Sequence, residues 1–520
     1  MAEQIDDYFT SVVSGLIPGG ESRPGVGPED PIQPPFPLSV RGALWTSSTP
    51  SSAAGISIWR PAGCGRGGKG FYTIGSSGHE SNAAVAAVLR PTDPALLHYR
   101  SGGFFLARAQ QVDGSDPLRD VLLGLVAATE EPISGGRHKV FGRRDLNIIP
   151  QTSTIASHLP RAVGVAFSIA RSEKLHVPSP WPADAVAVCS FGGRVREPLH
   201  RRRCPQYRGA RRLPGVAVAA AAGVRGQWNR DQHQDSAGWI AANFGDRAGL
   251  EYFEADGSDL PAAYATARDA ADWVRRHRKP VFLHLRTVRL MGHAGSDVET
   301  AYRTSAEIAA DFDRDPVLCT AKLLVERGHL SPTDALDLYE QKRAEVLELA
   351  EQVGELPQLD SPAAVMKPLT DSAVEAAAAV PERVDSDRRA QFIGSPLPED
   401  EGRLTTGLAI NRALLDVLAR YPPEALVFGE DVARKGGVYG VTRGLMKKAG
   451  SARVFDTLLD EQAILGLALG AGVSGLLPIP EIQYLAYLHN AADQIRGEGA
   501  TLQFFSDRQY RNPMVVRVAG

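Results

Sequence analysis

The sequence predicts an α/β fold: two doubly wound parallel-sheet units joined by a linker, with the second unit incomplete. Short apolar runs at 184–191 and 280–285 have the composition of buried strands. Apolar residues at helical spacing occur at 80–89, 260–278 and 305–312. Alternation of strands with helices is typical of a parallel sheet covered on both faces.

The same alternation resumes in the last part of the chain. Residues 405–421 have helical spacing, 425–431 read as a strand followed by a loop, and 461–475 form a helix rich in small residues. The chain stops just after another predicted strand, so we expect the second unit to lack part of its sheet. The predicted organisation is a flexible segment at 1–40, a first unit at 41–353, a linker at 354–401 with a short helix within 371–380, and a second unit at 402–520.

Composition limits the function classes. Of the 520 residues, 43% are hydrophobic and 22% charged, and the net charge is −3, as in an ordinary soluble enzyme. This balance gives no reason to expect nucleic-acid or membrane partners. The four cysteines have no metal-site spacing, and the N-terminus is acidic with no leader pattern, so we expect a reducing, cytoplasmic setting.

Three stretches carry candidate site residues. Tyr99 and Arg100 precede two glycines, which suits an anion site because arginine offers paired hydrogen-bond donors. The alternative interpretation is structural, with a core tyrosine beside a solvated arginine. The polar residues 151–153 precede a helix whose start could face a ligand or simply be capped. His293 follows a predicted strand directly, where it could transfer protons or serve only the structure.

Together with the second unit, these stretches resemble a known family. The segments "HYRSGG", "NIIPQTSTIASHLPRAVG" and "MGHAGSDVETAYR" are similar to the α subunit of the thiamine diphosphate-dependent decarboxylating component of 2-oxoacid dehydrogenase complexes. The segments "VFGEDVARKGG" and "DEQAILGLALGAG" are similar to the start of its β subunit. The resemblance covers 70–192, 238–350 and 402–520, and it implies a fused α–β chain with two thiamine diphosphate-binding units.

The resemblance implies roles for individual residues. His293 and Glu461 would be catalytic, with Glu461 bonding the 1′ nitrogen of the cofactor pyrimidine. The cofactor-binding set would be Tyr99 and Arg100 on the diphosphate, Ser153 and Ile155 at the aminopyrimidine, and Gly192 and Tyr487. Ala294 stands where some relatives carry the first of their regulatory phosphoserines, so the chain departs from the family at this position. The implied partners are a 2-oxoacid, a lipoyl-bearing acyltransferase and further copies of the chain.

One segment departs from the family. The resemblance implies Mg²⁺ held by a "GD" after the strand ending near Gly192 and by a later Asn, yet 192–235 instead contains ten arginines and an Ala/Val run. Reading its codons one nucleotide later permits "GDAS" at the start and "EDNG" at the end, and family-like sequence resumes at Gly238. We therefore infer that 193–237 is out of frame, so no metal ligand can be assigned and Mg²⁺ binding is doubtful.

The out-of-frame segment bears on both the fold and the activity. With 193–237 replacing a central strand, we expect this segment to leave a gap in the sheet and to impair the activity. A catalytically dead fragment and an acetoin- or transketolase-like enzyme are the alternatives. A basic nucleic-acid-binding insert is remote, because Tyr207 and Trp228 are the only aromatic residues within the segment.

Overall fold

The computed structural model describes residues 2–17, 74–137, 140–192, 221–224, 238–293, 297–370 and 386–520. The helices, in chain order, are α1 Ala2–Ser14, α2 Asn82–Val88, α3 Gly102–Ala109, α4 Pro117–Val126, α5 Leu159–Leu175, α6 Trp239–Phe244, α7 Leu260–His277, α8 Ser305–Phe312, α9 Pro316–Glu326, α10 Pro332–Gly354, α11 Pro362–Thr370, α12 Ser386–Ile393, α13 Thr406–Arg420, α14 Leu445–Ala449, α15 Glu461–Val473, α16 Leu485–Leu488 and α17 Ala500–Phe505. The strands are β1 Ala95–Leu96, β2 Val188–Cys189, β3 Phe191–Gly192, β4 Ala221–Val224, β5 Glu251–Asp256, β6 Val281–Thr287, β7 Ala425–Gly429, β8 Val454–Asp456, β9 Leu477–Ile482 and β10 Arg517–Val518. Short 3₁₀ turns occupy Glu299–Ala301, Pro398–Asp400, Val438–Gly440 and His489–Ala491, and a π-helical turn occupies Gln494–Gly499.

The first unit contains a four-stranded parallel sheet in the order β3-β4-β6-β5 and a separate parallel pair, β1 with β2. Side chains of β6 alternate between two cores, since Leu283 and Leu285 pack on the α7 side and Phe282 on the opposite side. Phe282 stacks on Phe244 of α6, with ring centroids 4.5 Å apart. Cores on both faces confirm the predicted doubly wound arrangement.

Strand β4 contradicts the predicted gap in the sheet. Its residues Ala221–Val224 lie inside the segment interpreted as out of frame, yet they pair in parallel with β3 on one side and β6 on the other. Strand pairing uses backbone groups that every residue except proline carries, so a short run of Ala, Gly and Val can occupy an interior position regardless of reading frame. The rest of that segment, 193–220 and 225–237, lies outside the described residues.

The second unit has a parallel sheet in the order β10-β9-β7-β8. Ala425 and Val427 of β7 face a core that includes α13, whereas Leu426 and Phe428 face a core built with α15. All five residues of β7 are buried, as expected for a central strand with helices on both sides. The fold class predicted from the sequence is confirmed for this unit also.

Two segments predicted to be irregular contain helices. Residues 2–14, within the segment predicted to be flexible, form α1, whose Phe9 and Val13 are buried against α9 and α10. The Phe9 and Tyr339 rings stack with centroids 4.4 Å apart, so apolar burial anchors this helix. The predicted linker holds α11 and α12, while the helix predicted within 371–380 lies outside the described residues.

The two units meet along α5 and α15. Helix contact is close because glycines face it: a Cβ added to Gly466 would lie 2.0 Å from Pro160 Cβ, and one added to Gly470 would lie 2.3 Å from the Gly164 carbonyl carbon. The contacts advance in the same sense along both helices, so α5 and α15 begin at the same end of the pair. Within the described ranges, no helix has the length and apolarity needed to cross a bilayer.

Candidate functional site

Arg100 joins three loops of the first unit. Its Nη1 donates to the Gly75 carbonyl at 2.7 Å, and its Nη2 donates to the His293 carbonyl at 2.8 Å. The guanidinium also lies over the Tyr99 ring, 5.2 Å from the centroid. Only 3% of Arg100 is exposed, so a fixed positive charge stands at this junction with little screening by water. Such a group suits an anionic ligand.

His293 stands at the exposed edge of the same junction. Arg100 Nη2 lies 3.2 Å from His293 Nδ1, and because arginine can only donate, Nδ1 accepts and the ring proton belongs on Nε2. The backbone N–H of His293 donates to the Asp297 carboxylate at 2.5 Å, and Tyr302 Oη donates to the same carboxylate at 2.8 Å. The loop therefore holds the exposed His293 ring beside Arg100. The Tyr99 ring meets the His293 ring edge-on, with centroids 6.4 Å apart.

Buried histidines line the inner side of this junction. Burial lowers the pKa of His79 to about 3, and burial likewise holds the pKa of His98 well below its usual range, so both rings are neutral. His98 Nδ1 accepts from the Arg100 N–H at 3.2 Å, which leaves the proton on Nε2. A Cβ added to Gly192 would lie 3.3 Å from that Nε2, so Gly192, at the end of β3, belongs to this same group of residues.

The turn before α5 carries the other predicted cofactor contacts. Ser153 and Ile155 are exposed, with Ile155 37% exposed, while their neighbour Ser157 is buried. The turn is closed by the Thr154 N–H donating to Thr152 Oγ1 at 3.2 Å and by Ser157 Oγ donating to the Thr154 carbonyl at 3.1 Å. Two exposed side chains on a tightly bonded turn are available to a ligand.

Glu461 is the first residue of α15, after the N-cap Asp460, whose carboxylate accepts from the Ala463 N–H at 2.9 Å. Since α5 and α15 begin at the same end, Glu461 lies at the end of the helix pair that carries the Ser153–Ile155 turn. Asn490 Nδ2 lies 3.5 Å from the Glu461 carboxylate. Burial raises the pKa of Glu430, and the nearby charges of Asp431 and Glu461 raise it further.

The predicted residues thus fall into two groups. Hydrogen bonds, ring contacts and close approach join Tyr99, Arg100, Gly192 and His293, whereas Ser153, Ile155 and Glu461 share one end of the α5–α15 pair. Tyr487 is 40% exposed and lies against Tyr484, with ring centroids 5.6 Å apart.

Sequence reasoning missed several residues of this region. His98 and Glu430 lay inside quoted motifs and could have been flagged as ionisable groups at strand ends. Arg161 and Glu498 form a buried ion pair across the two units, with N and O 3.1 Å apart. No local signal could have paired them, since more than 300 residues separate them.

No metal centre is evident in the described part of the chain. Among those residues, no group of three or more His, Cys, Asp or Glu side chains is placed to hold a metal ion. The stretches 193–220 and 225–237, where the Mg²⁺ ligands of the resembled family would fall, lie outside it. The residues described do not fit a magnesium site.

Two segments of the chain are similar to known protein families. Residues 233–361 match the dehydrogenase E1 component family, and residues 403–506 match the transketolase pyrimidine-binding domain family. The two matched segments follow one another in one chain, with the segment similar to the E1 component first and the segment similar to the pyrimidine-binding domain second. Both families are thiamine diphosphate-binding α/β folds, which agrees with the fold class that the sequence predicted.

The chain is also similar to beta subunits of curated 2-oxoacid dehydrogenases. The chain is 44% identical over 115 residues to the pyruvate dehydrogenase E1 component subunit beta of Staphylococcus epidermidis, covering 22% of this chain and 35% of the relative. It is 44% identical over 115 residues to the 3-methyl-2-oxobutanoate dehydrogenase subunit beta of Mycobacterium tuberculosis (22% and 33%), and 41% over 107 residues to the 2-oxoisovalerate dehydrogenase subunit beta of Pseudomonas aeruginosa (21% and 31%). The chain spans about a third of the length of these curated relatives.

Proposed function

We propose that the chain is a thiamine diphosphate-dependent decarboxylating component of a 2-oxoacid dehydrogenase. It would carry out oxidative decarboxylation of a 2-oxoacid and pass the acyl group to a lipoyl-bearing acyltransferase. The observation that carries this proposal is the order of the two matched segments, with an E1 component followed in one polypeptide by a pyrimidine-binding domain. A cytoplasmic location and assembly with further copies of the chain belong to the same proposal.

The donor set in the first unit fits the diphosphate. The buried Arg100 guanidinium supplies charge, and the neutral His98 ring presents an Nε2–H group toward the end of β3. Tyr99 packs beside the guanidinium and limits its motion. These side chains would hold and orient the anionic end of the cofactor. Thiamine diphosphate, when bound, supplies the carbon nucleophile and the electron sink that decarboxylation of a 2-oxoacid requires.

The remaining residues would handle protons and orientation. Glu461, at the end of the helix pair, would share a proton with the 1′ nitrogen of the pyrimidine, while Ser153 and Ile155 would hold that ring from the facing turn. His293, protonated at Nε2, would donate a hydrogen bond to the oxygen or carboxylate of the 2-oxoacid.

We also propose that the chain as it stands is impaired in metal binding. The sequence between Gly192 and Gly238 lacks the "GD" and "DN" oxygen ligands that the resembled family uses. Pairing of β4 in the sheet retains part of the backbone framework without supplying those side chains.

The test compares this chain with a variant whose 193–237 segment is restored to the shifted frame. Titration calorimetry with thiamine diphosphate and Mg²⁺ should give weak or no binding for the first and micromolar binding for the second. Decarboxylation of pyruvate and of 3-methyl-2-oxobutanoate is then followed with an artificial electron acceptor. Glu461→Gln in the restored chain should abolish turnover, and Glu424→Gln, elsewhere in the second unit, should not.

Other outcomes would contradict the proposal in distinct ways. Absence of thiamine diphosphate binding by the restored chain would point to a catalytically dead protein. Binding with acetoin cleavage or ketol transfer, and without 2-oxoacid decarboxylation, would move the chain to the other uses of this cofactor.

A further inference from the structure

A fully buried carboxylate of the second unit reaches into the turn that precedes α5. Glu498 has no exposed surface, and it belongs to the π-helical turn Gln494–Gly499. Its Oε1 accepts from Ser157 Oγ and, at 3.3 Å, from Thr152 Oγ1. Thr152 Oγ1 also accepts from the Thr154 N–H, and Ser157 Oγ shares its single hydrogen between the carboxylate and the Thr154 carbonyl, 3.1 Å away, so both hydroxyls belong to the turn that carries Ser153 and Ile155. The carboxylate therefore bonds the two residues that set the shape of this turn.

The charge of Glu498 is balanced within the same contact. Arg161 Nη2 lies 3.1 Å from Glu498 Oε2, and the same nitrogen donates to the Pro150 carbonyl at 3.0 Å. Arg161 is 1% exposed, so both charges of the pair are removed from water. The Pro150 contact ties the other end of the turn to the same ion pair.

A second side chain of the π-helical turn acts on the same element. Gln494 Nε2 donates to the Ser157 carbonyl at 2.9 Å, and Gln494 is also fully buried. A π turn widens the helix by one residue per turn and re-aims its side chains. Here it directs Gln494 and Glu498, four residues apart, at one target in the other unit.

We propose that Glu498 is a positioning residue, through which the second unit fixes the cofactor-contacting turn of the first. The carboxylate acts through Thr152 and Ser157 and holds Ser153 and Ile155 in the conformation that receives the pyrimidine end of thiamine diphosphate. The cofactor part of this inference rests on the proposed function. The fixing of the turn is a property of the chain without cofactor.

The experiment separates positioning from simple charge balance. Amide hydrogen exchange of the cofactor-free chain is measured by mass spectrometry on peptides covering 150–158 and, as a reference, α7. The variants are Glu498→Gln, the double variant Glu498→Gln with Arg161→Met, and Ser157→Ala, which removes one bond without leaving a buried charge unpaired. Global unfolding is followed in parallel by urea denaturation.

If Glu498 positions the turn, the variants should differ in amide exchange at 150–158 and in resistance to urea. Glu498→Gln should speed exchange at 150–158 at least about tenfold, and Ser157→Ala should speed it less, because each loses charge-assisted bonds to the carboxylate. The double variant should regain resistance to urea, because no unpaired charge remains, yet keep the fast exchange at 150–158. Exchange in α7 should stay unchanged in Ser157→Ala and in the double variant.

Cofactor binding completes the test, using the frame-restored chain titrated with thiamine diphosphate and Mg²⁺. The double variant should bind about tenfold more weakly than its parent. Restoration of slow exchange and full affinity in the double variant would overturn the proposal, because Glu498 would then only neutralise Arg161. If the parent itself binds no cofactor, both the proposed function and the role of Glu498 at the cofactor are wrong. Faster exchange at 150–158 in Glu498→Gln would still show that this carboxylate fixes the turn.

Discussion

Substitution of Gly470 by alanine tests how tightly the two units are joined. The new Cβ would lie 2.3 Å from both the Gly164 carbonyl carbon and the Val165 nitrogen. Favourable contacts between such atoms are about 3.5–4.0 Å, so the helices must separate by roughly 1.2 Å or more. The neighbouring atoms are backbone, which cannot rotate away as a flexible side chain can.

The overpacking caused by the added methyl group is partly offset by the higher helix propensity of alanine. Overpacking of this kind costs about 1–3 kcal/mol, and the backbone contact on α5 places Gly470→Ala at the upper end. Alanine in a helix interior is about 1 kcal/mol better than glycine, which offsets part of that cost. We therefore expect the free energy of unfolding to fall by about 2 kcal/mol.

Gly497 provides the matched control, because a Cβ added there meets nothing within 4 Å. Gly497→Ala should be neutral or stabilise by up to about 1 kcal/mol. Urea denaturation of both variants, followed by circular dichroism at neutral pH, measures the difference. The reasoning is refuted if Gly470→Ala unfolds at the same urea concentration as Gly497→Ala, since the helix contact would then have room for a methyl group.

Three further outcomes are expected. Burial and the charge of Arg100 lower the pKa of His79 to about 3, so its stabilising effect is complete above the unfolded value of 6.5 and is lost as pH falls toward 3. Between pH 7 and pH 5, the free energy of unfolding of His79→Gln should therefore gain about 2 kcal/mol relative to that of the parent. Urea denaturation at each pH measures this difference, and a difference that stays constant would contradict the burial argument. Arg100→Lys in the frame-restored chain keeps the charge but loses the paired donors, so affinity for thiamine diphosphate should fall about tenfold by calorimetry; unchanged affinity would remove Arg100 from the diphosphate site. Glu461→Gln should keep the free energy of unfolding within about 0.5 kcal/mol of the parent value, because this side chain is partly exposed and its contact with Asn490 is long, at 3.5 Å. A large loss of stability would show that Glu461 is structural.

The acidic side of the pH profile contains opposing groups. Burial raises the pKa of Asp120 and of Asp315 to about 6, so their protonated forms stabilise the fold at low pH and this contribution is lost as pH rises from about 4 to about 6. They oppose the His79 effect in that range. Comparison of His79→Gln with its parent at each pH cancels the contributions of both aspartates.

The sequence alone predicted several elements and singled out residues that the structure brings together. Apolar run length and spacing were sufficient for β6, β7, α7 and α13, because buried strands and amphipathic helices require those patterns whatever surrounds them. The position of His293 after a strand placed it at the end of a sheet, and the two glycines after Arg100 indicated an anion site. The structure brings these two side chains together.

The contact between the two units and the presence of β4 in the sheet were visible only in the tertiary structure. The Arg161–Glu498 pair and the Gly164–Gly470 contact bring together residues that are remote in sequence, and local propensity carries no information about such partners. The α1 helix looked like part of a flexible lead-in because its burial depends on α9 and α10. β4 holds its interior position because hydrogen bonding between strands depends on the backbone, which is common to all residues, whereas a metal site depends on individual side chains.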